Sequence, residues 1–205
     1  MMKRNNFPFS AVLGLNHAKT AILIVLVNPR AGGLLISGPR GIGKSTLMRS
    51  TQELIERPWR DIPVSVTEDR LFGTIDTEKA IYSGQKKLYP GIINEADQGV
   101  LYLDDANLLR EDLLDFILNI AEVGAYQLER DGLSLRCDTS FTVIAAINPE
   151  SGMLSGACLD QFGLFVNVDN IHDENTRVEI LKRTISFEKD CASFCKLWKL
   201  ENEKI

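Results

Sequence analysis

Histidine and cysteine are scarce in this 205-residue sequence, which has two of the first and four of the second. Cys137, Cys158, Cys191 and Cys195 form no C-x-x-C pair, and His17 and His172 stand far from them, so neither a zinc site nor a disulfide framework is expected. The cysteines read as reduced, mostly buried thiols. Long apolar runs are missing too: the longest, Ala21 to Val27, falls far short of the roughly 20 residues a membrane-spanning helix needs. Met1-Met2-Lys3-Arg4 has the basic character of a signal-peptide start, but Asn5, Asn6, His17 and Lys19 interrupt the stretch after it and no small-x-small cleavage site appears. A cytoplasmic protein without a membrane partner is expected. An excess of positive charge is also lacking, with 23 Lys and Arg against 28 Asp and Glu, and a net charge of -5 gives no global attraction to nucleic-acid phosphates. No nucleic-acid partner is expected.

What is present is an ordinary globular composition, 44% apolar and 25% charged, in a chain long enough for one large core. Strands and helices alternate. A first helix is expected from about His17 to Val27, apolar on nearly every side and therefore buried, stopped by Asn28-Pro29. Gly33 to Ser37 reads as a short buried strand leading into a glycine-rich turn, a helix from Lys44 to about Arg57, and a strand at Pro63 to Val66, which together make a βαβ unit. Arg70 to Ala96 reads as an insertion with little core of its own. Gly99 to Leu103 is a buried strand ending in Asp104-Asp105, and the helix after Asn107 places Leu109, Leu113, Phe116, Ile117 and Ile120 on one face. Two short runs meet at Asp131-Gly132, a dipeptide suited to a hairpin turn and expected to protrude, before the strong strand Phe141 to Ile147. A final core strand, Leu164 to Val168, precedes a helix near Asp173 to Glu188 with Val178, Leu181 and Ile185 inward.

Gly38-Pro39-Arg40-Gly41-Ile42-Gly43-Lys44-Ser45 satisfies the G-x-x-x-x-G-K-[ST] pattern of a phosphate-binding P-loop, with a strand before it and a helix behind. Glycines let several backbone N–H groups point at phosphate oxygens, the helix N-terminus adds positive potential, and Lys44 supplies a full charge. The ATP-binding residues are therefore Gly38 to Ser45 together with Thr46, and Ser45 is expected to ligate Mg²⁺. Such a site needs an acidic residue at the end of another buried strand, and Asp104 takes that metal role, with Asp105 placed to orient and deprotonate the attacking water. An acidic pair at a strand end also serves to cap the next helix. Asn148, at the end of Phe141 to Ile147, is placed to touch the γ-phosphate or that water, although Asn-Pro also opens ordinary loops.

These residues resemble the AAA+ ATPase subunit of magnesium chelatase, the enzyme that inserts Mg²⁺ into protoporphyrin IX. The likeness runs from Phe7 to about Phe194. It is carried by Phe7 to Val12 with Gly14, by Pro29-Arg30 with Gly32-Gly33, and most specifically by Thr67-Glu68-Asp69-Arg70-Leu71-Phe72-Gly73-Thr74-Ile75-Asp76-Thr77-Glu78-Lys79-Ala80, which general P-loop proteins lack. Gly99 to Asp104, Asn107-Leu108-Leu109, Glu129 to Arg136, and Asn148-Pro149-Glu150 with Gly152 also match. The resemblance implies an α/β AAA+ P-loop core at residues 1–189, its parallel sheet sandwiched by helices with β-hairpin insertions. It further implies a truncated helical element at 190–205 in place of a complete C-terminal lid. ATP with Mg²⁺, a homo-oligomeric ring, and partner subunits, one of them with a metal-dependent adhesion domain, are implied by the same resemblance.

Four departures bear on activity. Asp105 replaces the family's glutamate, shortening the reach of the water-activating carboxylate. Gln161, in Leu159-Asp160-Gln161-Phe162-Gly163, stands where the family carries an arginine finger, a group worth about 10³ to 10⁵ in rate. Leu15 replaces the glutamine of the adenine-proximal motif, and the stretch between Arg57 and Pro63 is short. Arg177 and Arg183 lie on the following helix, where a solvated face is the simpler role. The expected function is an ATP-driven chelatase motor subunit with weakened hydrolysis. The alternatives are a nucleotide-dependent assembly module without significant turnover, and a related AAA+ motor of the cobalt chelatase or MoxR chaperone kind.

Overall fold

The computed structural model describes residues 6–75, 88–130 and 133–205. In chain order the elements are α1 (Asn16–Val27), β1 (Leu34–Ser37), α2 (Lys44–Thr51), β2 (Trp59–Ile62), α3 (Glu68–Phe72), β3 (Gly73–Ile75), β4 (Leu88–Pro90), α4 (Ile92–Glu95), β5 (Val100–Leu103), α5 (Glu111–Val123), β6 (Ala125–Arg130), β7 (Leu133–Asp138), β8 (Thr142–Ile147), α6 (Gly156–Asp160), β9 (Leu164–Asn167), α7 (Glu174–Lys189) and α8 (Cys191–Asn202). Five strands form a parallel sheet in the order β2-β5-β8-β1-β9, and two antiparallel pairs, β3-β4 and β6-β7, stand apart from it. Among the described residues no helix is long and apolar enough to cross a membrane.

The period of two along the central strands builds the two faces of this sheet. Leu34 and Ile36, Val100 and Tyr102, and Ile144 and Ala146 pack with Ala18, Ile22, Val25, Leu47 and Met48 from α1 and α2. Leu35, Leu101 and Leu103, and Val143, Ala145 and Ile147 pack on the opposite side with Leu113, Leu114, Ile117 and Ile120 of α5. Both faces are covered, which is why these strands are apolar throughout rather than alternating.

Several sequence expectations are corrected. Pro63 to Val66 is a turn closed by Val66 N–H on the Pro63 carbonyl, and the strand lies just before it, with Trp59 opposite Val100 on β5. Pro63 has no N–H to give a parallel ladder, so the β-branched residues after it are not recruited. α2 ends at Thr51, not Arg57, where Ser50 and Thr51 both turn their hydroxyls back to the Leu47 carbonyl. The segment from Arg70 to Ala96 is not without core: Leu71, Ile92 and Ile93 are buried in the α5 cluster. Gly73 and Gly91 explain part of the punctuation, since a Cβ on Gly73 would lie 2.3 Å from the Tyr89 carbonyl oxygen and one on Gly91 2.3 Å from the Gly73 nitrogen. On α5, Phe116 faces outward, with its ring in a T-shaped pair with Phe72, while Leu109 is buried ahead of the helix. α1 is buried on one side only, because Ile24 and Val27 are exposed.

β9 is an edge strand rather than a core strand, and Phe165 on it is exposed. The largest difference is α7, whose Val178, Leu181 and Ile185 are 49%, 61% and 63% exposed instead of turned inward. Their spacing is helical, but no element packs over that stripe among the described residues. α8 instead folds back on the N-terminal segment: Phe194 lies against Phe7, with ring centroids 5.3 Å apart, and Asn202 accepts from the Ser10 hydroxyl at 2.6 Å. β6 and β7 pair in register from Ala125 opposite Asp138 to Arg130 opposite Leu133, as a hairpin requires. The expected tip, Asp131-Gly132, lies outside the described residues, as do Asp76 to Ala80.

Candidate nucleotide site

The loop Gly38 to Gly43 joins the end of β1 to the start of α2, where helix N–H groups are unsatisfied by the helix itself. Gly41 and Gly43 have φ of +82° and +94°, a region that side chains rarely occupy. Gly38 is needed for space, since a Cβ there would lie 2.5 Å from the Val168 carbonyl oxygen. Around Gly41 nothing approaches within 4 Å of that position, so the cradle opens outward. Arg40 and Thr46 are exposed on its rim, with Pro39 and Ile42 partly covered.

Lys44 is buried, and its Nζ donates to the carbonyl oxygens of Gly38 and, at 2.8 Å, Pro39. Burial lowers its pKa from the ordinary lysine value, while the charges of Asp105 and Asp104 oppose that shift and Arg40 adds to it. Ser45 Oγ donates to Asp104 Oδ2 at 2.9 Å, although the two are 59 positions apart in sequence. That contact exists because β5 and β1 end at the same edge of the sheet with only β8 between them. A hydroxyl beside a carboxylate, next to a phosphate cradle, is a donor set that fits a hard divalent cation such as Mg²⁺.

Tyr102 lies in the Gly99 to Asp104 strand but is not among the site residues expected from the sequence, yet it is part of this site. It donates to the other carboxylate oxygen, Asp104 Oδ1, at 2.9 Å, and so fixes the orientation of the group. Burial, followed by the Asp104 charge, raises its pKa well above the usual tyrosine range, so it remains a donor. The signal for it is its position two residues before Asp104, on the same face of β5. Asp105 follows with φ +50°, an uncommon left-handed conformation for a residue with a side chain, and turns the chain into the 3₁₀ segment Ala106–Leu108.

Asn148 is 2% exposed at the end of β8. Its Oδ1 accepts from Glu150 N–H at 3.2 Å and its Nδ2 donates to Ser151 Oγ at 3.2 Å, so the carboxamide caps its own loop. Leu15, in the left-handed conformation at the start of α1, brings its side chain to the P-loop, 3.8 Å from where a Gly43 Cβ would stand. Gln161 is not drawn into this cluster: at the end of α6 its Nε2 donates to the Ala157 carbonyl at 3.4 Å. Arg183 is not a solvated helix residue. Its side chain is 19% exposed, donates to the Ala11 carbonyl at 3.0 Å, pairs with Glu179, and lies 4.6 Å from the Trp198 ring centroid. Arg177 is exposed. A separate groove of about 900 Å³ opens between Leu26 and Val27 of α1, Leu54 and Ile55, and Cys195 and Lys199 of α8, and includes none of the P-loop.

A parallel sheet with one strand inserted between the P-loop strand and the acidic strand is a P-loop NTPase arrangement that AAA+ ATPases share. The family model described as AAA domain (dynein-related subfamily) matches residues 33–161. The chain is 35% identical to the magnesium-chelatase 38 kDa subunit of Cereibacter sphaeroides, over 97% of this chain and 70% of that protein. It is 33% identical to the magnesium-chelatase subunit ChlI homolog of Methanocaldococcus jannaschii, over 100% of this chain and 66% of that one. A solved complex between subunits BchI and BchD of magnesium chelatase superposes with a TM-score of 0.76 at 35% identity, covering 98% of this chain and 73% of the other. The chain belongs to the magnesium-chelatase ATPase (I) subunit family of AAA+ proteins. Among magnesium-chelatase relatives, it spans 61% of the length of the 38 kDa subunit of Chlorobaculum tepidum and 71% of that of the ChlI subunit of Cyanophora paradoxa.

Proposed function

We propose that the chain binds ATP with Mg²⁺ at the P-loop and serves as the motor subunit of a chelatase of the magnesium-chelatase kind, working in a ring with copies of itself and with other chelatase subunits. The observation that carries this reading is the junction of Ser45 Oγ and Asp104 Oδ2 at 2.9 Å beside the buried Lys44. Ser45 and Asp104 would hold Mg²⁺, which when bound draws charge from the phosphate oxygens. Lys44 exchanges its two carbonyl partners for phosphate oxygens, an exchange that gives the buried cation a counter-charge. Asp105 Oδ accepts the proton of the attacking water, from a carboxylate one methylene shorter than the family's glutamate. Asn148, placed at the neighbouring strand end, contacts the γ-phosphate after releasing Ser151.

A second reading, an assembly module with little turnover, is favoured by one specific arrangement. Gln161 holds the family's arginine-finger position with its amide turned onto its own helix, and Arg183 is committed to the Ala11 carbonyl of its own chain. Neither supplies a cation to a neighbour's phosphate. The deciding experiment is Mg²⁺-dependent phosphate release by the purified chain, alone and with partner subunits of the chelatase type. Turnover that rises on mixing supports the motor. ATP-dependent assembly without phosphate release supports the module.

A further inference from the structure

Asn107 sits on the 3₁₀ segment two residues after Asp105. Its Nδ2 donates to the Asn148 carbonyl at 3.1 Å and to the Gly152 carbonyl at 2.9 Å, at the two ends of the loop that leaves β8. Both bonds join segments more than forty positions apart in sequence. Its Oδ1 is buried and has no hydrogen-bond partner among the described residues. A carboxamide that spends its donors on two main-chain carbonyls and leaves its acceptor unsatisfied is held in place for those donors.

Beyond its own turn bonds, Ser151 N–H to the Asn148 carbonyl at 3.0 Å and Gly152 N–H to the Pro149 carbonyl at 3.2 Å, the loop it grips is largely exposed. Glu150, Ser151, Gly152 and Met153 are exposed, and nothing lies within 4 Å of where a Cβ on Gly152 would stand. Asn148, in contrast, is buried and can turn its side chain toward a phosphate only by giving up Ser151 and Glu150, which leaves its loop dependent on the main-chain anchors. Asn107 itself is fixed to the acidic turn, where Leu108 N–H donates to the Asp105 carbonyl at 2.8 Å.

We infer that Asn107 is a positioning residue that clamps the Asn148–Gly152 loop to the Asp104–Asp105 turn, so that discrimination between ATP and ADP at this site depends on its two N–H donors. The inference rests on the nucleotide-binding reading above. Asn107 acts through Asn148, and its effect falls on the γ-phosphate rather than on phosphates shared by the two nucleotides.

The test compares calorimetric affinities for a slowly hydrolysed ATP analogue and for ADP, each with Mg²⁺, in the unaltered chain, Asn107→Leu and Asn107→Ser, with thermal unfolding of each. The unaltered chain prefers the ATP analogue. Asn107→Leu, which keeps the shape and loses both donors, lowers that preference by about tenfold while ADP affinity holds, and Asn107→Ser, with one donor, falls between. Full preference in Asn107→Leu, equal losses for both nucleotides, or no preference in the unaltered chain overturns the inference. Loss of cooperative unfolding in both variants makes Asn107 a folding residue and also overturns it. Failure of the unaltered chain to bind either nucleotide is a different result, because it overturns the proposed function itself and the inference with it.

Discussion

Lys44 and Tyr102 show how single residues set the terms of this site. Lys44 is buried before any phosphate arrives, and its lowered pKa makes its charge vulnerable at alkaline pH. Bound phosphate favours the charged form, so binding takes up a proton once the free site has lost one. Affinity for an ATP analogue should therefore decline as pH rises toward 10.5, earlier than an ordinary lysine would require, as isothermal titrations across a pH series would register. Tyr102→Phe retains the ring, 5.9 Å from that of Trp59, but removes the donor to Asp104. It should weaken Mg²⁺ dependence about tenfold with little loss of thermal stability, read from Mg²⁺ titrations of analogue binding. The glycines, Lys44, Ser45 and Asp104 are legible in the sequence because their spacing is dictated by one local loop and one strand end. Tyr102 and Asn107 are not, because each acquires its role from a partner: Tyr102 looks like one more apolar strand position, and Asn107 depends on a loop more than forty positions away.

At the scale of elements, the strands β1, β5 and β8 are readable because both faces of the sheet are covered and their apolar runs are uninterrupted. The strand before Pro63 escapes sequence reading because Trp59-Arg60-Asp61 carries charge on an edge, while the β-branched residues in the turn after it imitate a strand. The apolar stripe of α7 misleads in another way. Helical spacing reports which residues share a face but is silent on whether anything lies over it. Leu71 and Leu181 make the contrast measurable. Leu71→Ala empties a fully buried position and should cost about 2–5 kcal/mol in denaturant unfolding. Leu181→Ala, at an exposed position, should change stability by less than about 0.5 kcal/mol in the isolated chain. A large cost at Leu181 would mean that α7 is packed in solution, in self-association or otherwise.

At the scale of the whole molecule, the chain is a AAA+ subunit in which Ser45 meets Asp104 beside the P-loop lysine, while the proposed reading puts Gln161, whose amide bonds its own helix, where an arginine finger would stand. On that reading a finger would act across the subunit boundary, so binding and turnover should respond separately. Gln161→Arg, with Asp105→Glu to repair the shorter carboxylate, should raise phosphate release under conditions where sedimentation shows assembly, and leave nucleotide affinity nearly unchanged. An assembled double variant no faster than the unaltered chain would remove the finger as the limiting element. All of this presupposes that the P-loop holds nucleotide, and calorimetric titration of a slowly hydrolysed ATP analogue, with Mg²⁺ and with the metal chelated, tests that most directly. Saturable binding is predicted for the unaltered chain, weakened without Mg²⁺ and weakened at least about tenfold in Lys44→Ala. Equal affinity in Lys44→Ala and the unaltered chain would contradict the account.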